Sequence, residues 1–251
     1  MTLGQVLIAT VAGVVGGVMN ALAGGGTFAT LPALLALGLP SNISNATSNA
    51  ALLPGAASSA WAFRRELVPV AGIRVRYLAI LTFAFGLVGS YLLVVTPSDV
   101  FDVIIPWLLL FAFVVIALGD DAYAWLHDRI SIGRPTLVIA QCLLGIYGGY
   151  FGGGVGLITT ALFGLLAQIP PRELFALRTA MLAMANLAAA AIFVWLHMIA
   201  WWAWLPMMLG SIAGGWLGAG LGKKLSHATV RALTLVVTAG TTVAFFVRAY
   251  G

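Results

Sequence analysis

The sequence predicts an all-α polytopic membrane protein made of two inverted repeats, each a glycine-broken, two-armed helix unit followed by three further helices. Three observations carry this. Hydrophobic residues fill 62% of the 251 positions and charged ones only 8%, where a soluble domain needs about 25% charged residues to cover its surface. The apolar residues gather into segments of about twenty, the length that crosses a hydrocarbon core of about 30 Å. A glycine triplet occurs twice, half a chain apart.

In chain order the long apolar segments run over 3–22, 43–63, 77–96, 103–119, 135–151, 174–196, 201–221 and 229–248. Shorter apolar arms, 27–38 and 155–167, follow the two triplets. Charge collects between the segments: Arg64-Arg65-Glu66 through Arg76, Pro97-Ser98-Asp99, Asp120 through Arg134, Gln168 through Glu173, and Lys223-Lys224 through Arg231. No linker separates domains, so the chain reads as one membrane domain with repeats 1–128 and 129–251.

The net charge of +5 does not point to nucleic acid, because the basic residues form no basic domain and read as cytoplasmic anchors. The single Cys142 allows no disulfide within the chain. Ala21-Leu22-Ala23 imitates a signal-peptide cleavage site, but no Lys or Arg precedes it in the first seventeen residues. The pattern also returns in mid-chain, so it is read as structure.

The most informative feature is an internal repeat. Gly17 through Gly26, ending Ala23-Gly24-Gly25-Gly26, returns as Gly145 through Gly154, ending Phe151-Gly152-Gly153-Gly154, at an offset of 128. Each triplet leads into an apolar arm, a proline (Pro40; Pro170) and a helix opening near Ala46 or Ala176, now at an offset of 130. Duplicated halves are typical of secondary transporters. Charge suggests that they are inverted. The loop with Arg64, Arg65, Arg74 and Arg76 has a counterpart without Lys or Arg around His197-Met198-Ile199-Ala200, whereas acidic Pro97–Asp102 corresponds to a stretch with Lys223, Lys224 and Arg231. Under the positive-inside rule, equivalent loops then lie on opposite sides, with both termini outside. A continuous, merely kinked helix at each triplet would instead give parallel halves.

Three successive glycines are poor helix formers, each costing about 1 kcal/mol against alanine. Irregular backbone at membrane depth is tolerated where it is buried in protein or lines a wet cavity. The helix N-termini at Thr27 and Val155 suit an anion, and two such ends would converge near the midplane. Close packing is the competing role for small residues, and it fits Gly210, Gly214, Gly218 and Gly222. Asn45, Ser48 and Asn49 share one face of a helix, and their counterparts are Phe175, Arg178 and Thr179, with Asn186 two turns on. Arg178 is the basic residue placed to enter the bundle. An Arg there costs at least about 2.5 kcal/mol, and its planar fork of donors suits an oxyanion. Snorkelling is the alternative for a residue one turn into its helix. The candidate site thus comprises Asn20, Gly24, Gly25, Gly26, Thr27, Asn45, Ser48, Asn49, Gly152, Gly153, Gly154, Arg178, Thr179 and Asn186.

As a set, Ala23-Gly24-Gly25-Gly26, Leu31-Pro32, Gly38-Leu39-Pro40 and Ala46-Thr47-Ser48, repeated as Phe151 through Gly156, Pro170 and Ala176-Leu177-Arg178-Thr179, resemble the TauE/SafE family of sulfite and organosulfur anion exporters. The second copy departs by having Leu177-Arg178 where Thr47-Ser48 stand. The resemblance implies a multi-pass transporter of sulfite, sulfonates or related anions in a bacterial inner membrane, with no cofactor. The partners are a small anionic substrate and the bilayer, not nucleic acid; a homo-oligomer is left open. An anion channel, or a transporter of carboxylates or another small solute, is the alternative. An enzyme is not expected, since no buried Ser–His or Asp–Asp pair and no His-Glu-x-x-His motif can be named. No Gly-Lys-Ser/Thr phosphate loop appears, and the seven carboxylates all fall in loops or near helix ends, so no mid-membrane proton relay is expected. Trp201, Trp202, Trp204, Met207 and Met208 read as interfacial belt and packing.

Overall fold

The computed structural model describes residues 2–126, 133–167, 174–222 and 225–251. Ten α-helices organise them: α1 (Leu3–Ala23), α2 (Thr27–Ala36), α3 (Ser41–Ala62), α4 (Val75–Val95), α5 (Ser98–Leu126), α6 (Arg134–Tyr150), α7 (Val155–Ala167), α8 (Phe175–Trp195), α9 (Trp201–Gly222) and α10 (His227–Tyr250). Helices α1, α4, α8 and α10 and the 98–118 part of α5 are long and apolar enough to cross a membrane. Helices α3 and α9 are as long, at 22 residues, but α3 is diluted by its Ser, Asn and Thr residues. At 1.5 Å per residue, α2 and α7 reach only about 15 and 20 Å, too short to cross alone.

Helix α5 corrects the sequence reading. Asp99, Asp102, Asp120 and Asp121, read as lying in loops or near helix ends, all lie within this 29-residue helix. Asp99 sits in the first turn, where the helix dipole favours a carboxylate. At about 44 Å the helix outruns the hydrocarbon core. Helix α3 likewise starts at Ser41, a turn before Ala46, and α8 at Phe175. The repeat boundary at 128/129, His127, Asp128, Pro170, Glu173, Lys223 and Lys224 lie outside the described residues.

Packing repeats with the sequence. Helix α1 lies on α9 as α6 lies on α4, α3 on α9 as α8 on α4, α2 on α3 as α7 on α8, and α2 on α10 as α7 on α5. Exchanging each helix for the one five places along therefore reproduces these contacts. The remaining large contacts, α3 with α8 and α5 with α10, join counterparts. Both of these run antiparallel. Phe63, just beyond α3, stacks edge-on against Phe175 at the start of α8, with centroids 4.7 Å apart. Asp102 early in α5 meets Arg248 late in α10 at 3.7 Å, while Arg231 early in α10 donates to the Ala117 carbonyl late in α5 at 2.6 Å.

Glycines bring the parallel pairs together. On the α1–α9 seam, a Cβ on Gly13 would strike the Met207 carbonyl, one on Gly17 that of Ser211, and one on Gly214 that of Val14. Gly89 and Gly149 make the same close approach between α4 and α6, where a Cβ would strike the Ile146 and Gly86 carbonyls. Lipid cannot drive helices together by the hydrophobic effect, so close van der Waals contact through small residues is what holds such seams. This is the packing role read for Gly210, Gly214 and Gly218. Large apolar side chains such as Leu143, Val236 and Trp216 face outward, and Trp201 and Trp202 are exposed at the start of α9 while Met207 is buried.

A matched pair of substitutions tests the seam. Gly214→Val should lower the melting temperature of the purified protein by the equivalent of about 1–3 kcal/mol or more, since backbone rather than a flexible side chain blocks the new methyls. Gly240→Ala in α10, where a Cβ meets nothing within 4 Å, should leave it unchanged or raise it by up to about 1 kcal/mol.

Candidate functional site

Helix α1 ends at Gly24, whose left-handed φ of 72° lets its N–H return to the Asn20 carbonyl at 2.9 Å. The Asn20 side chain braces the turn, its Oδ1 accepting the Gly26 N–H at 3.3 Å. Helix α2 starts at Thr27, which is buried. Its N-terminus is less open than an isolated helix end: the Phe28 N–H bonds the Gly25 carbonyl, and those of Ala29 and Thr30 bond that of Gly26. Pro32 inside α2 has no N–H for the Phe28 carbonyl, which instead accepts the Thr241 hydroxyl of α10 at 3.4 Å. Thr30 Oγ1 shares a 2.5 Å hydrogen bond with Ser48 Oγ. Ser48 lies well inside the 22-residue α3, so the first triplet sits at comparable depth within the bundle.

The second break is built on the same plan with different atoms. Gly152 and Gly154 take φ of 78° and 77°. Tyr147 Oη donates to the Gly153 carbonyl at 2.7 Å, and Ile158 N–H caps onto that of Gly154 at 2.9 Å. The two breaks touch. A Cβ on Gly24 would lie 2.6 Å from Gly156 Cα, and one on either Gly153 or Gly154 would come within 3.0 Å of the Phe28 ring, which also covers Gly25.

Each loose helix end is held by the other repeat. From α3, Asn45 Nδ2 donates to the Tyr150 carbonyl at 2.9 Å and Asn49 Nδ2 to that of Phe151 at 3.2 Å, at the end of α6. From α8, Arg178 Nη2 donates to the Leu22 carbonyl at 2.9 Å, at the end of α1. Leu22 and Tyr150 are 128 positions apart, the offset of the triplets, so the two latches fall on equivalent residues. Arg178 is 9% exposed, and its guanidinium lies 4.3 Å from the Phe175 ring centroid. It is buried in the bundle and does not snorkel.

Of the predicted set, the triplets, Thr27, Asn45, Ser48, Asn49 and Arg178 surround this meeting of breaks. Asn20 and Thr179 also line a small pocket between α1, α3, α8 and α9, with room for about one water molecule. Thr179 Oγ1 bonds its own helix at Ala176. Asn186 is buried two turns on, its Oδ1 without a hydrogen-bond partner. The remaining polar lining comes from Ser59 and Ser211, which the sequence reading did not single out. Ser211 Oγ bonds the Ala51 carbonyl at 2.7 Å, and its place inside the glycine-rich seam of α9 was a usable signal. Tyr147 and Phe28 were missed as well, because at the 128 offset their counterparts are Met19 and Gly156, which share none of their chemistry. A buried Gln141 that donates to Thr82 was legible as a lone amide in an apolar run.

Residues 9–245 match the family model described as sulfite exporter TauE/SafE. A probable membrane transporter protein of Haemophilus influenzae is 30% identical over 237 residues, covering 90% of this chain and 90% of that protein. The probable membrane transporter protein ORF9 of a Sinorhizobium species is 26% identical, covering 91% and 87%, and YfcA of Escherichia coli K12, another probable membrane transporter protein, is 25% identical, covering 89% and 82%. No solved structure gives a significant match. With ten helices among its described residues, a family match over nearly its whole length and transporter relatives of similar extent, the chain belongs to the TauE/SafE family and is a multi-pass membrane transporter.

Proposed function

We propose that the protein is a secondary transporter that exports small sulfur-containing anions, such as sulfite or organosulfonates, across a bacterial inner membrane. The observation that carries this reading is Arg178, a guanidinium buried beside the point where the two glycine breaks meet. A guanidinium stays protonated in proteins and presents paired N–H donors that match a sulfonate or sulfite. Backbone turns at membrane depth lie around it, as they do at the binding sites of broken-helix transporters.

The halves act as inverted repeats in this proposal. The antiparallel run of the counterpart pairs α3–α8 and α5–α10 supports that relation, as do the opposite charge biases of equivalent loops. Both termini then face the periplasm, and Arg64–Arg76 and Lys223–Arg231 face the cytoplasm.

Arg178 has two roles that substitutions separate. Arg178→Ala removes the charge and strands the Leu22 carbonyl, a loss of about 1–3 kcal/mol of stability as well as binding. Arg178→Gln removes the charge on a side chain two bonds shorter, leaving an amide in place of the guanidinium. In proteoliposomes loaded with labelled sulfite or sulfoacetate, Arg178→Gln should abolish flux, with a fall in melting temperature no larger than that of Arg178→Ala. Arg178→Lys should retain weakened flux, and Arg74→Ala should transport normally. Normal flux in Arg178→Gln would remove the anion from this site.

Topology is tested separately, by single-cysteine labelling in a chain whose Cys142 is replaced. Arg76 and Lys223 should label from the cytoplasmic side and positions near Thr96 and Met198 from the periplasmic side. Arg76 and Lys223 on opposite faces would defeat the inverted arrangement.

A further inference from the structure

The two equivalent helix ends are satisfied by chemically different partners. A helix C-terminus carries roughly half a negative charge on its last carbonyls. At α1 a cation meets it, with the Arg178 guanidinium 2.9 Å from the Leu22 carbonyl. At α6 the corresponding carbonyls of Tyr150 and Phe151 are met by the neutral amides of Asn45 and Asn49. Both Asn side chains are fully buried, and because each Nδ2 is committed to a carbonyl, the orientation of the amide is set. Asn45 Oδ1 and Asn49 Oδ1 are then buried acceptors without a hydrogen-bond partner. A stranded acceptor costs about 1–3 kcal/mol, and here two stand one helical turn apart on the same face of α3, beside the negative end of α6.

We propose that this place binds a monovalent metal cation, held by the amide oxygens of Asn45 and Asn49 at the carbonyl end of α6. The ion would do for α6 what Arg178 does for α1. A neutral oxygen set favours a monovalent ion, since Mg²⁺ dehydrates reluctantly and Ca²⁺ sites draw their affinity from carboxylates. Broken helices with exposed carbonyls are a known way for a membrane bundle to hold such an ion. Gly152 packs directly against Asn49 Oδ1, so occupancy would bear on the shape of the second glycine break. The ion would also provide coupling without a mid-membrane carboxylate. The proposal is independent of the substrate, and so is its test.

The full-length protein, purified with no sulfur anion present, is melted in choline chloride while NaCl, LiCl or KCl replaces the choline at constant ionic strength. The expected result is a saturable rise in melting temperature with at least one alkali ion, absent in Asn49→Ala. That substitution also strands the Phe151 carbonyl and can fail to fold, so Asn49→Asp and Asn45→Asp form a second arm. In each, the former donor becomes a second oxygen facing a carbonyl, a repulsion that a cation relieves. The half-saturating salt concentration should therefore fall by about tenfold. Equal melting of the wild type in all four chlorides overturns the proposal. A saturable response that survives in a folded Asn49→Ala, or one that both Asp variants leave unshifted, also overturns it. A response to MgCl₂ at lower concentration than to any alkali salt overturns the monovalent assignment.

Discussion

A helix that stops inside a bilayer leaves carbonyls and N–H groups that lipid cannot satisfy, and this requirement governs the bundle. Each of the two glycine breaks creates such an end, and each end is closed by a polar side chain from the other repeat: Arg178 for Leu22, Asn45 and Asn49 for Tyr150 and Phe151. Neither half could be satisfied in this way alone. The latches therefore tie α8 to α1 and α3 to α6, and the contact of Gly24 with Gly156 brings the two turns against each other. The glycines serve two ends here. Positive φ at Gly24, Gly152 and Gly154 turns the chain, and the missing Cβ lets the turns touch.

The close seams follow from the same solvent. Because lipid offers no hydrophobic drive, α1 and α9, and likewise α4 and α6, associate through backbone contact at small residues. A methyl group at Gly17, Gly149 or Gly214 would have to displace backbone, which has no alternative rotamer. The small pocket lies against this seam, between α1, α3, α8 and α9, with Gly17, Gly55 and Gly215 in its lining. Gly17 thus serves both the tight packing and the lining beside Asn20 and Thr179, and the sequence pattern alone does not separate the two roles.

The order and limits of the helices were legible because hydrophobic length is nearly the whole signal in a membrane chain. Every long apolar segment became a helix, and the arms after the triplets became α2 and α7. Helix α5 was the exception, since hydropathy reports where lipid ends and not where hydrogen bonding does; its acidic ends continue the helix past the apolar stretch. Asn45, Asn49 and Arg178 were legible as residues out of place in an apolar face. Their partners were not, because Leu22, Tyr150 and Phe151 contribute carbonyls, which every residue has. Tyr147 was hidden for a related reason, as a tyrosine near a bilayer reads first as interface until its hydroxyl is seen on Gly153.

Duplication explains the frame, and divergence explains what the frame can recognise. Two identical breaks would give two equivalent sites with no net charge preference. Instead, the position that is Ser48 in one copy is Arg178 in the other, Gly156 stands where Phe28 does, and Gly148 stands where Asn20 does. Ser48 spends its hydroxyl on Thr30 within its own half, while Arg178 crosses to the other half and brings a full charge into the interior. That charge costs several kcal/mol to bury, and among the described residues it meets one carbonyl and one aromatic face. In the other copy the equivalent helix end meets the neutral amides of Asn45 and Asn49, whose oxygens are buried acceptors. Divergence has thus set a cation against one break and neutral groups against the other, so the two ends of a duplicated frame differ in charge.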